Sequence, residues 1–281
     1  MQMIVATLAT NNALEDLQVL LKTLELWHGV PPTVYLYADS QTAEKVKYSG
    51  TIIVRKALDT YSGKTRRQME MTPGSIGGKS LWFEFQMEKL SLLEWALTES
   101  KTDTGVYYLD SDICLFRALP NVPVGYDAAV SPHLIRLRDE ALYGKYNAGY
   151  VWIRTMEAVR AWREACIESR FFEQTALEVF DSEKWSSKTF VFPLQENYGW
   201  WRMFQGRMSP NELQDEWKIF RSAGHSGILV GNLPLGSIHT HWITTDPVTG
   251  DFNFFVLDLV RKLARSHPPA KKLLNIIRDT R

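Results

Sequence analysis

Val106-Tyr107-Tyr108-Leu109-Asp110-Ser111-Asp112-Ile113-Cys114-Leu115-Phe116 stands near the middle of the 281-residue chain, and its reading decides the rest. Four apolar residues in a row predict a buried strand, and the Asp110-Ser111-Asp112 triplet falls where that strand gives way to a loop. Two carboxylates at i and i+2 converge on one hard divalent cation, which can bridge two phosphate oxygens. Without a cation, two like charges confined together are costly.

Working outward, Met3–Thr10 predicts a first buried strand, and Leu17, Leu20, Leu21 and Leu24 recur at helical spacing behind it. A second strand ends in Asp39, a third covers residues 51–57, and residues 80–100 form a long helix before Val106. The order strand, helix, strand predicts an α/β fold: a Rossmann-like, mixed but mostly parallel sheet flanked by helices. In such sheets ligands bind beyond the carboxyl ends of the strands, where Asp110 and Asp112 stand. Residues 56–80 are polar, rich in Gly, Ser and Thr, and long enough to be expected as a mobile lid carrying Arg66, Arg67 and Lys79. The second half reads as α+β, with short strands near Ala128 and Tyr150 and Gly- and Pro-broken strand material from Gly227 to Trp242.

Three further groups of residues fit a site for a cation and a polyhydroxylated ligand. His239 and His241 alternate along one strand face, and a neutral imidazole from either suits Mn²⁺ beside two carboxylates; His239 is the first choice, His241 the alternative. The bend Asn147-Ala148-Gly149 lets backbone and amide approach a ligand closely, Asn both donating and accepting toward sugar hydroxyls. Glu173 and Gln174 open a segment expected to begin a helix that presents them to a cleft.

Composition excludes other classes. Lys+Arg and Asp+Glu both number 32, so no net field attracts nucleic acid. Two cysteines, Cys114 and Cys166, form neither a disulfide framework nor a CxxC metal spacing, and with no basic leader the expectation is a reducing, cytoplasmic setting. A haloacid dehalogenase type of phosphatase also places DxD after a strand, with Thr or Val where Cys114 stands. A P-loop is suggested by Gly78-Lys79-Ser80, but Pro73 replaces its first Gly. A nucleotidyltransferase calls for a Gly-rich loop after the first strand, and Ala6-Thr7-Leu8-Ala9-Thr10 supplies none.

In order along the chain, Asp110-Ser111-Asp112, Asn147-Ala148-Gly149, Glu173-Gln174 and His239 resemble the motifs of GT-A glycosyltransferases, nearest the glycogenin and lipopolysaccharide galactosyltransferase group, glycosyltransferase family eight. The resemblance covers roughly residues 1–245. It implies a metal-dependent transferase, with Asp110, Asp112 and His239 on Mn²⁺ or Mg²⁺, and a nucleotide sugar, a UDP sugar first, donating to a hydroxyl of a glycan or lipid-linked acceptor. Ala6, Thr7, Asp39, Lys89 and Ser111 are then expected at the donor, Asn147, Ala148, Gly149, Glu196 and Trp242 at the transferred sugar or acceptor, and Glu173 and Gln174 at the reacting centre. One catalytic domain, 1–254, divides into a nucleotide-sugar half (1–118) and an acceptor half (119–254). The pattern departs from the family at Glu173, where Asp is usual, and after His239, where Thr240-His241-Trp242 replaces the family's Gly and its Lys-Pro-Trp run. A binding protein on the same fold without catalysis is the alternative from another class.

The tail, 255–281, carries Arg261, Lys262, Arg265, Lys271, Lys272, Arg278 and Arg281 against Asp258 and Asp279. Its apolar stripe, Phe255, Val256, Leu259, Val260 and Leu263, is expected to dock on the domain or to lie on an anionic membrane surface.

Overall fold

The computed structural model describes residues 3–222 and 225–279. The elements run β1 (Ile4–Ala9), α1 (Leu14–Trp27), β2 (Thr33–Ala38), α2 (Ser40–Lys45), β3 (Ile52–Lys56), α3 (Arg66–Met71), α4 (Leu81–Ser100), β4 (Val106–Leu109) and β5 (Ile113–Leu115). They continue with β6 (Ala128–Pro132), α5 (Leu137–Tyr143), β7 (Tyr146–Ile153), α6 (Met156–Ala165), β8 (Thr189–Val191), β9 (Tyr198–Gly199), α7 (Arg202–Gln205) and α8 (Pro210–Asp215). The last are β10 (Trp217–Ser222), β11 (His225–Val230), β12 (Leu233–Pro234), β13 (Ser237–His239), α9 (Pro247–Ala264) and α10 (Pro268–Arg278).

Seven strands form one mixed sheet in the order β3-β2-β1-β4-β7-β6-β8. β1, β2, β3 and β4 are parallel neighbours, β7 runs antiparallel to β4 and β6, and β8 is parallel to β6. Every residue of β1 is buried because helices cover both faces: Ala6 and Leu8 join one apolar cluster, Val5 and Ala9 the other. A small sheet, β5-β13-β9, sets His239 opposite Ile113 on one side and Gly199 on the other. That pairing brings residues past Asp112 and the end of β13 to one place.

Residues 56–80 contain more structure than a lid reading expects. α3 is closed by a capping box in which Thr65 accepts from Gln68 N and the Gln68 side chain accepts from Thr65 N, and Pro73 bridges to Ser80. The α4 helix starts on Ser80, whose hydroxyl accepts from Phe83 N. Its inward face carries Gln86 and Lys89 as well as apolar side chains.

The C-terminal stripe docks. Val256, Leu259, Val260 and Leu263 of α9 and Ala270, Leu273 and Ile277 of α10 are buried in a third cluster, whereas Phe255 is partly buried against it. The α9 helix begins at Pro247, upstream of the stripe, capped by the Asp246 carboxylate on Thr249 N. Arg261, Lys262, Lys271, Lys272 and Arg278 are exposed; Arg281 lies outside the described residues. Among the described residues, no helix is long and apolar enough to cross a membrane.

Candidate functional site

A cavity of about 810 Å³ opens beyond the carboxyl ends of β1 and β4. Asp110, Ser111, Asp112, Lys89, Asn147, Glu173, Gln174, His239 and His241 all line it, as do Lys64 and Arg66. The Asp110 and Asp112 carboxylates and the His239 imidazole each offer a ligand atom, all within 4.8 Å of one another.

The two aspartates are held differently. Asp110 Oδ1 accepts from Tyr108 Oη (2.7 Å) and faces Lys89 Nζ (3.2 Å), while Oδ2 lies 3.9 Å from His239 Nε2. One oxygen is therefore anchored to protein and the other is turned to the imidazole. Asp112 stands between two imidazoles, His239 Nε2 at 3.1 Å from Oδ1 and His241 Nε2 at 3.4 Å from Oδ2. Burial opposes its ionisation, and the two imidazoles outweigh burial, holding the carboxyl well below the usual range.

Gly149 is what makes this convergence fit. A Cβ on it would overlap His239 Cε1 and stand 2.5 Å from Asp110 Oδ2. Gly149→Ala is expected to cost about 1–3 kcal/mol through overpacking, because backbone bonds from Asp110 N to Gly149 O (2.8 Å) fix both chains. Urea denaturation measures it; stability equal to wild type would mean that the cradle yields.

Lys89 Nζ also holds Glu173 Oε1 at 2.7 Å, and Glu173 is buried. Burial raises the Glu173 carboxyl above its ordinary range even though Lys89 pulls it down. For Lys89 the balance reverses: burial lowers it, but Asp110 and Glu173 together push it above the usual lysine value. Phe172, just before Glu173, has φ 46, a left-handed conformation rare outside glycine, and no helix begins there; a 3₁₀ turn follows from Thr175. Gln174 is spanned by the bend: its Oε1 accepts from Asn147 Nδ2 (3.2 Å), and its Nε2 donates to Tyr143 O (2.6 Å). Asn147 Oδ1 in turn accepts from Gly149 N (3.0 Å) and Asn197 Nδ2 (2.9 Å).

Other residues singled out from the sequence stand elsewhere. Ala6 and Thr7 are buried within β1, and the cavity begins two residues later with Leu8, Ala9 and Thr10. Asp39 caps α2, accepting from Thr42 N, Asn11 N and Ser62 Oγ, and does not line the cavity. Glu196 is turned inward onto Arg117, and Trp242 packs in the C-terminal cluster; neither lines the cavity. Ala148 and Gly149 do not line it, and Gly149 instead packs against Asp110 and His239, which do. Arg67 and Lys79 stay outside it, and Lys79 lies over the Phe83 ring.

The sequence reading missed Trp82, Phe85, Phe171, Phe172 and Trp201 as lining residues, and Asp16 as a partner. Asp16 accepts from Trp242 N (3.1 Å) and pairs with His241 Nδ1 (2.8 Å). Its signal was available: an acid on the same helical face as Leu20, in a buried stripe. Asp112 and then Asp16 raise His241 from an ordinary 6.5 to about 9. A raised imidazole stabilises the fold below its unfolded value and loses that contribution as pH climbs through the folded one. Metal-free wild type is therefore expected to lose stability relative to His241→Ala between about pH 6.5 and 9, read by melting temperature across that window. Parallel profiles for the two proteins would refute the coupling.

The sequence matches no protein-family model and no curated protein. Solved structures do match. The galactosyltransferase LgtC, in complex with donor and acceptor sugar analogues, superposes with a TM-score of 0.53 at 15% identity, covering 93% of this chain and 96% of that one. The chain has a GT-A fold. Mouse xyloside xylosyltransferase 1 gives 0.51 at 12% identity over 88% of this chain and 100% of the other. The bifunctional glycosyltransferase WbbM gives 0.55 at 11%, with 98% of this chain placed on 51% of that one. At these identities the likeness concerns the fold, and the site's chemistry rests on its own residues.

Proposed function

We propose that the protein is a metal-dependent glycosyltransferase that moves a sugar from a nucleotide diphosphate donor, a UDP sugar first, to a hydroxyl of a glycan or lipid-linked acceptor. The observation that carries this is the meeting of Asp110, Asp112 and His239 at the carboxyl end of β4, in the cavity where this fold offers space for a ligand. Two carboxylates and an imidazole suit Mn²⁺ or Mg²⁺, and Gly149 leaves room that any other residue would fill. Bound there, the cation supplies Lewis-acid neutralisation of the leaving diphosphate.

The chain's own residues do the remaining work. Lys89 orients Asp110 through Oδ1, with Oδ2 left for the cation. The Asn147–Gln174 pair stiffens the wall on which the transferred sugar would rest, and Ser111, between the two aspartates, faces the donor. Lys64 and Arg66 also line the cavity and would supply positive charge to phosphate in place of the family's lysine. Of the two glutamates that could deprotonate an acceptor hydroxyl, Glu196 does not line the cavity and Glu173 is engaged by Lys89. No named base is therefore free for an acceptor proton, which favours a retaining course in which Gln174 and the donor's own phosphate shape the reacting face. In this reading residues 1–118 hold the donor, 119–254 the acceptor and 255–281 a docked tail.

The test is release of UDP or another nucleoside diphosphate from a panel of nucleotide sugars, with Mn²⁺, with Mg²⁺ and with chelator. Metal-dependent release is expected. Tight donor binding with no turnover under any acceptor would instead establish a binding protein, and hydrolysis of a simple phosphate ester without nucleotide sugar turnover would establish a phosphatase.

A further inference from the structure

His241 is not part of the compact trio of ligand atoms, yet its setting is that of a ligand. Its Nδ1 faces Asp16 Oδ2 at 2.8 Å, which turns Nε2 toward Asp112. Nε2 lies 3.4 Å from Asp112 Oδ2. A carboxylate behind the imidazole is also what orients metal-bound histidines and raises their basicity. His239, by contrast, has a buried Nδ1 with no hydrogen-bond partner.

Resting on the metal reading above, we infer that His241 is a fourth protein ligand of the cation, with Asp16 as its positioning residue. Two ligand atoms bound at right angles to an ion at about 2.1–2.2 Å lie about 3 Å apart, and the two imidazole-to-Asp112 distances, 3.1 and 3.4 Å, are close to such edges. The His241 side chain is 54% exposed and lines the same cavity as the trio. Two carboxylates with two imidazoles favour Mn²⁺, Co²⁺ or Zn²⁺ over Mg²⁺, because nitrogen donors suit the borderline ions and Mg²⁺ prefers oxygen.

The probe is Mn²⁺ itself, bound to the full-length protein and followed by pulsed electron paramagnetic resonance, which counts coordinated imidazole nitrogens. Wild type is expected to show two, and His241→Gln and His239→Gln one each. Asp16→Asn is expected to weaken Mn²⁺ binding about 10-fold or more, with a smaller change for Mg²⁺. An unchanged nitrogen count and Mn²⁺ affinity in His241→Gln overturns this inference alone. Wild type that binds no Mn²⁺, with or without UDP, overturns the metal-dependent reading with it.

Discussion

Asp112→Asn is expected to lower metal-dependent donor turnover by about 100-fold or more while the chain still folds. The substitution keeps the side chain's shape, and the backbone bond from Thr240 N to Asp112 O (3.0 Å) does not involve the carboxylate. What it removes is the negative charge that two imidazoles hold in place from opposite sides. In the absence of that charge the cation loses its central ligand, and the diphosphate loses its counter-charge. Turnover, Mn²⁺ affinity and urea denaturation on one preparation decide the matter. Wild-type turnover in the variant would exclude Asp112 from metal binding.

Lys89→Met is expected to be the most damaging single substitution for stability, by about 3–5 kcal/mol, because it strands the buried Glu173 carboxylate without its cation. The sign with pH distinguishes this from a packing defect. Burial already raises the Glu173 carboxyl, and without Lys89 it must rise further. A carboxyl whose folded value exceeds its unfolded one binds its proton in the folded state and costs stability as pH increases. The gap between variant and wild type should thus widen from pH 5 to pH 8, and the double variant with Glu173→Gln should recover part of it. A pH-independent gap would assign the loss to packing alone.

Much of the fold was legible because the decisive elements are locally written. The apolar runs of β1 and β4 and the helical spacing in α1 and the tail need no partner to be recognised. The pairing of β7 with β4 and β6 was not legible, since antiparallel insertion into a parallel sheet depends on contacts between segments far apart in sequence. The site divides in the same way. Asp110, Asp112, Asn147, Glu173, Gln174 and His239 lie at the ends of recognisable runs, and the structure brings them to one cavity. Glu196 and Trp242 were misplaced because a polar or aromatic residue in an irregular stretch gives no hint of facing. Glu196 pairs with Arg117, and Trp242 is absorbed by the core beneath α9. Residues 56–80 looked too polar to hold structure, but the capping box at Thr65 and the buried Met69, which joins the core, stabilise a short helix.

The contact between Asp16 and His241 spans 225 residues of chain, and β13 reaches β5 across roughly half as many, from Cys114 to Ile238. Closing a loop of that size carries an entropic cost that only a formed scaffold offsets. During synthesis the strands β1 to β4 emerge early and can pair at once, whereas His239 and His241 arrive when most of the chain already exists. If the proposed metal site is right, a nascent chain presents the two aspartates without His239 and His241, and capture of a cation would wait for β13 to arrive. Truncation or stalling late in translation would leave a folded sheet that is deaf to metal.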